Sequence, residues 1–227
     1  GAHHLLGTDK LGRDLLTRLM IGARIAVAVG LGAVALGALL GGVAGLLAAF
    51  ADRWLDDTLA ALLDILIAFP TLLLAMLVVA ARGASLGSAI VAIGLAMSAI
   101  VARLTRVLAK RILAMDYVTA ARTSGVSWPR IVVAHVLPNS WPTLAVNLAL
   151  QFGLAVLAEA SLSYLGLGPP PPNASWGRLL QEAQSTVLTA PAGAIAPGVL
   201  LVVLVVGVNL LADGLRDVAD PTRRGHR

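Results

Sequence analysis

The sequence predicts an all-α protein, a polytopic bundle of membrane-crossing helices. Three observations carry that prediction. Of the 227 residues, 58% are hydrophobic and 13% are charged, whereas a soluble domain averages nearer a quarter charged. Mean hydropathy is +0.88, so too little charge remains to cover a water-facing surface. The apolar residues also fall in long uninterrupted runs, and a spanning helix needs about 20 such residues. These runs lack period-2 alternation and exceed the roughly 10 residues of a barrel strand.

In chain order, residues 1–24 contain Asp9, Lys10, Arg13, Asp14, Arg18 and Arg24 and no apolar core. They read as a segment ahead of the first span, not as a signal peptide. Vicinal His3 and His4 belong to a polar terminus, and no metal is assigned to them. The first span is Ile25–Ala51. Its "GALLGGVAG" places Gly37, Gly41 and Gly45 at four-residue spacing, one groove in which a neighbouring helix can approach closely. Close packing within the bundle accounts for it. The second span runs over 59–81, interrupted by Asp64 and Pro70. The third covers 83–102, the fourth 136–158 and the fifth 192–212, giving a transmembrane domain over 25–212.

Basic residues orient the stack. The segment 103–139 carries Arg103, Arg106, Lys110, Arg111, Arg122 and Arg130 against Asp116 alone. The tail at 213–227 adds Arg216, Arg223, Arg224 and Arg227. The stretch "YLGLGPPPPNASWGRLLQEAQSTVLTAP" holds only Arg178 against Glu182. The first two regions therefore face the cytoplasm and the third faces outward. Counting spans backwards puts residues 1–24 outside, against their own four basic residues.

The same residues argue against several functions. The net charge of +5 follows from basic cytoplasmic segments and does not indicate a nucleic-acid partner. There are no cysteines, hence no disulfide or thiolate site. "GASLG" at 83–87 matches a nucleophile pattern, but Ser85 would need a nearby base. The histidines are His3, His4, His135 and His226, and none lies within an expected span. Asp64 lies about 7 Å along a helix from Leu59, and Glu159 about 29 Å from Ser140. Both therefore fall near an interface, as structural anchors, and ion-coupled transport lacks its usual midplane carboxylate. Neither lysine, Lys10 or Lys110, follows a glycine, so no phosphate-cradling loop is present. Energy for uphill movement must come from another chain.

One segment, "YVTAARTSGVSWPRIVVAHVLPN" at 117–139, is unlike the oily runs around it. Ala120 and Ala121 favour helix, Gly125 suits a left-handed cap, and Ser127 can cap a second helix that tolerates Pro129 in its first turn. Pro138 and Asn139 punctuate the start of the next span. The result is a short, small-faced helix with a fixed turn behind it, shaped for a groove on a cytoplasmic partner. An ordinary amphipathic surface loop fits the residues equally well.

This segment resembles the EAA loop of bacterial ABC importer permeases, with Thr119-Ala120-Ala121 in the Glu-Ala-Ala position and Gly125 as its glycine. Thr119 departs from the pattern by lacking the carboxylate. "GTDKLGRDLLTRLMIGARI" at 7–25, "EASLSYLGLGPPPPNASWGRLL" at 159–180 and "NLLADGLRDVADPTRR" at 209–224 resemble the C-type permease subunit of the dipeptide/oligopeptide/nickel group. Such subunits carry a span ahead of the Gly-Thr-Asp segment, and the expectation is that an apolar stretch precedes Gly1 in the native chain.

The resemblance implies a permease subunit of the bacterial inner (plasma) membrane that does no covalent chemistry. It implies half of a path for di- or oligopeptides, with nickel or another small solute as the alternative within the family. An ion-coupled secondary transporter is the alternative from another class. Implied partners are a homologous B-type permease, two cytoplasmic ABC ATPase subunits, an external substrate-binding protein and membrane lipid, with no nucleic acid. No cofactor is implied in this chain, since ATP and magnesium would be bound by the ATPase subunits. Tyr117, Val118, Thr119, Ala120, Ala121, Arg122, Gly125, Val126 and Trp128 would carry ATPase coupling. The prolines of "LGLGPPPPNASWG" favour an extended outer loop over a helix. Gly166, Gly168, Pro170, Asn173 and Trp176 would face the external mouth or the binding protein, with the Trp176 ring suited to the membrane interface.

Overall fold

The computed structural model describes residues 6–219. His3, His4 and His226, and the tail arginines 223, 224 and 227, lie outside the described residues. The elements in order are α1 (Leu15–Phe50), α2 (Arg53–Ala68), α3 (Thr71–Arg82), α4 (Leu86–Leu113), α5 (Asp116–Thr123), α6 (Trp128–Ile131), α7 (Leu137–Tyr164), α8 (Trp176–Ala183) and α9 (Ala192–Ala219). The described residues contain no strand, only an isolated bridge between Thr8 and Asp14. Four helical stretches are long and apolar enough to cross a membrane, and α2 with α3 makes a fifth if the bent pair is one span.

The first helix starts ten residues before the expected boundary, at Leu15 rather than Ile25. Asp14 caps it, accepting from the Thr17 amide at 3.0 Å and the Thr17 hydroxyl at 2.6 Å. Arg18 does not end the helix because its charge is paired inside the protein, as described below.

The second apolar run is not one straight rod. Its two halves meet at 88°, because Pro70 offers no amide to the preceding turn and Phe69 before it is driven to an extended backbone (φ −76°, ψ 130°). On α2 the only buried residue is Asp56, whereas α3 packs Ala75 and Val79 into the core.

Beyond Ala102, α4 continues to Leu113. At the other side of α5, Trp128–Tyr164 is one continuous 37-residue helical stretch. Pro138 and Asn139 therefore do not punctuate the start of the span. A widened turn at Val132–Val136 precedes Pro138, and in it the Leu137 amide reaches back five residues to Val132 O. This shifts the ladder where the proline ring would otherwise strike it. What remains of the 103–139 loop is residues 114–127. Likewise α9 runs on to Ala219, past the expected boundary at 212.

The core is the seam of α1 and α4, closed by α7 and α3. Gly37, Gly41 and Gly45 lie on it. A methyl group at Gly37 would meet Gly94 O at 3.2 Å, one at Gly41 would strike Ser98 O and Val101, and one at Gly45 would strike Ala102 O and Thr105. The two backbones are in contact because no side chain separates them. One face of α9 packs Leu201 into the core, whereas Val202, Val203 and Leu210 stay exposed, as residues facing lipid or a further membrane subunit do.

Candidate functional site

The bundle has two unlike ends. At one, α5 lies across the ends of α4 and α6. Val118 is fully buried with Ala109, Ile112, Ile131 and Val136, and this anchors the helix. Its last turn closes on Gly125 at φ +85°. The Gly125 amide donates to Arg122 O at 2.9 Å and the Val126 amide to Ala121 O at 3.1 Å, the paired bonds of a helix stopped by a left-handed residue. Ser127 begins α6 with an extended backbone but makes no side-chain cap bond, and Pro129 sits in the first turn.

Side chains brace the turn. The Arg122 guanidinium stacks over Trp128, and Phe50 at the end of α1 meets the same ring edge-on at 4.9 Å. Tyr117 packs edge-to-face on His135 at 5.6 Å, and its hydroxyl accepts from Asn139 Nδ2 at 3.4 Å. Thr119, Ala120, Thr123 and Ser124 are exposed, whereas Ala121 is half-buried and Val126 is partly covered. The small outward face is thus centred on Ala120. The sequence reading grouped 117–128 as one contact surface; the structure divides them into anchor, brace and face.

At the opposite end, the loop before α1 folds onto α8. Arg18, 7% exposed, donates through Nη1 to Asp9 Oδ2 at 2.8 Å and to Glu182 Oε2 at 2.6 Å. Asp9 also accepts from the Leu11 and Arg13 amides, both at 2.9 Å, and from Arg13 Nε at 2.6 Å. Burial opposes ionisation of Asp9 and Glu182. Hydrogen bonds from Arg13 to Asp9, and from Arg18 to Glu182, outweigh it and hold both carboxyls below their ordinary range. A cavity of about 670 Å³ lies between this loop, α8 and the start of α9.

The proline-rich stretch after α7 is a loop up to Ser175, which then caps α8 by accepting from the Arg178 amide at 3.3 Å. Gly166, Pro170 and Asn173 are exposed on it. Gly168 is buried against Ser163. Trp176 corrects an expectation: its ring is 4% exposed and does not sit at a lipid interface. It packs over Gly22, where a methyl group would come within 2.5 Å of its Cδ1, and its Nε1 donates to Leu19 O at 2.9 Å. The indole thereby ties α8 to α1.

Glu159 is also inside the protein. It is 1% exposed, accepts from the Ser163 hydroxyl at 2.6 Å and bonds Ser175. Asp64 pairs with Arg103 at 3.3 Å, both well exposed. Ser85 caps α4, accepting from the Ser88 amide at 3.0 Å and donating to the Ser88 hydroxyl at 2.9 Å.

Sequence reasoning missed the Asp56 clamp. This buried carboxylate accepts from Arg106 Nε at 2.5 Å and Nη2 at 2.8 Å, and pairs with Lys110. It fixes the start of α2 to the last turns of α4. The available signal was Arg106 and Lys110 at i,i+4 together with an acid in the first turn of α2.

Fold and site together define a polytopic membrane transport protein with a rigidly mounted small-faced helix at one end. The chain belongs to the family of binding-protein-dependent transport system inner membrane components, whose model matches residues 41–225. It is 40% identical over 220 residues to the di/tripeptide transport system permease protein of Pseudomonas aeruginosa, covering 97% of this chain and 73% of that protein. It is 38% identical over 218 residues to the glutathione transport system permease protein of Pectobacterium atrosepticum, covering 96% and 72%. Its fold matches the MetNI methionine ABC transporter in an inward-facing crystal form with a TM-score of 0.75 at 20% identity, over 90% of this chain and 98% of that one. It is a multi-span transport permease subunit of the bacterial inner membrane.

Proposed function

We propose that this chain forms half of the path for di- and oligopeptides in an ATP-driven importer. It pairs with a homologous B-type permease, receives cargo from an external binding protein and is driven by two cytoplasmic ATPase subunits that bind the ATP and magnesium. Relatives named for di/tripeptide and glutathione transport support the cargo class.

The observation that carries the mechanism is the mount of α5. Val118 buried beneath it and the closed turn at Gly125 leave little freedom, while Ala120 presents an open, small surface. A helix so held transmits displacement as a rigid body instead of absorbing it. Closure of the ATPases would then be passed to α4 and α6, against which α5 is seated, and from α6 along the continuous stretch into α7.

Ala120→Arg tests this reading in the reconstituted complex. The expected result is weaker ATPase attachment, or hydrolysis no longer coupled to peptide uptake, with the chain still inserted. Normal attachment and normal coupling would overturn it.

A further inference from the structure

The helix α2 is held to the bundle chiefly by charge. Its only buried residue is Asp56, and none of its side chains joins an apolar core cluster. On the side of Asp56, Leu59, Ala60, Leu63 and Ile67 are only partly covered, while Trp54, Leu62 and Ile65 are exposed. The Asp56 side chain is 5% exposed and is shared between Arg106 and Lys110. A second pair, Asp64 with Arg103, is a single exposed contact at 3.3 Å. Opening the Asp56 clamp would leave a buried carboxylate unneutralised, so the link resists being pulled apart.

Arg106 and Lys110 stand on the last turns of α4. Another face of the same turns carries Ala109 and Ile112, which bury Val118 of α5. One short length of α4 therefore grips α5 on one side and α2 on the other. At its far end α2 meets the break. The Phe69 amide closes the α2 ladder on Ile65 O at 3.2 Å, and the Leu74 amide opens the α3 ladder on Pro70 O at 3.1 Å. No bond of either ladder spans the Phe69–Pro70 junction, so bending there breaks none. Ala75 and Val79 meanwhile keep α3 in the core. From Asp56 to Phe69 is a lever of about 20 Å at 1.5 Å per residue.

We propose that Asp56 is the positioning residue that carries ATPase-driven movement of the α5 end into α2, which swings as a rigid lever about Phe69–Pro70. This rests on the reading of α5 above. It gives the movement of α4 a second destination besides the route through α6 and α7.

The test uses the reconstituted complex with both permeases, the ATPases and the binding protein, and reads trialanine moved per ATP hydrolysed. Asp56→Asn keeps size and removes the charge that holds Arg106 and Lys110. Lys110→Met loosens the clamp while Arg106 still neutralises the carboxylate. Asp57→Asn removes the neighbouring acid, which is exposed. The expected result is assembled complexes whose transport per ATP falls by about two- to thirtyfold in Asp56→Asn, the range seen for residues in a coupling chain. The fall should be smaller in Lys110→Met and absent in Asp57→Asn. Lost stability alone would lower the amount of complex but not a ratio counted per ATP. An unchanged ratio in assembled Asp56→Asn would overturn the proposal, as would an equal fall in Asp57→Asn. If Asp56→Asn does not assemble, Lys110→Met decides, and an unchanged ratio there overturns it. Normal attachment and coupling in Ala120→Arg would instead sink the reading of α5 itself, a result separate from any Asp56 outcome.

Discussion

The Arg122 guanidinium lies 4.1 Å from the centroid of the Trp128 ring, so the helices on either side of the Gly125 turn are joined by side chains as well as by backbone. A cation over an aromatic face contributes about 0.5–1 kcal/mol at an exposed site. The turn thus has two supports, and they are separable.

Gly125→Val should remove the backbone support alone. A Cβ at Gly125 meets nothing within 4 Å, so the effect is conformational, about 1–2 kcal/mol or more for a β-branched residue at positive φ. Coupling of ATP hydrolysis to uptake should fall while the chain inserts normally. Trp128→Leu should give a smaller loss. Equal, near-wild-type coupling in both would show that the aim of α5 does not matter.

Gly41→Ala and Gly42→Ala make a matched pair on adjacent residues. The first adds a methyl group against Ser98 O and Val101, the second into open space. Forcing the α1–α4 seam apart should cost on the order of 1–3 kcal/mol, whereas the neighbour should stay within about 0.5 kcal/mol. Thermal unfolding of the purified complex reads both, and equal midpoints would mean that the seam yields.

The fastening of the loop before α1 should fail in acid. Asp9 and Glu182 have folded pKa values below their ordinary 3.8 and 4.5, so their contribution is complete above that range and is lost as pH falls through the lowered values. Protease cleavage near Leu11 should be flat from about pH 7 to 5 and rise below about pH 4. Arg18→Met should speed cleavage and weaken its pH dependence, with the Arg13–Asp9 bonds carrying what remains. A rise between pH 7 and 5 in the native chain would exclude these carboxylates as the cause.

Topology is open to chemical labelling, since the chain has no native cysteine. Asn173→Cys and Ser124→Cys both place a thiol on an exposed residue, at opposite ends of the bundle. An impermeant reagent added outside right-side-out vesicles should modify the first and spare the second. The reverse pattern would invert the orientation read from the basic residues.

The long apolar runs made the bundle legible, because span length is a local property. The left-handed stop at Gly125 was legible for the same reason. Arg18 was not. Counting charges ended the helix at the arginine's expense, and nothing nearby reveals that its carboxylate partner Glu182 lies 164 residues on. Trp176 was assigned to lipid on its amphipathic ring alone, yet its indole N–H is satisfied by Leu19 O. Residues 117–128 were grouped as one surface, whereas the structure exposes Ala120 and half-buries Ala121. The helix period fixes which residues share a face, but only the position of the Val118 anchor fixes which face looks out.

The unbroken stretch from Trp128 to Tyr164, 37 residues, is a beam of about 55 Å at 1.5 Å per residue. It starts beside α5 and ends at the loop bearing Gly166 and Asn173. A tilt of about 5° about one tip sweeps the other through about 5 Å, by the length that the same rise gives. The chain is therefore geared: a displacement too small to separate helices at the α5 end arrives at the far end as a shift one residue wide. Both ends can be informed of each other's state without any helix unwinding in between.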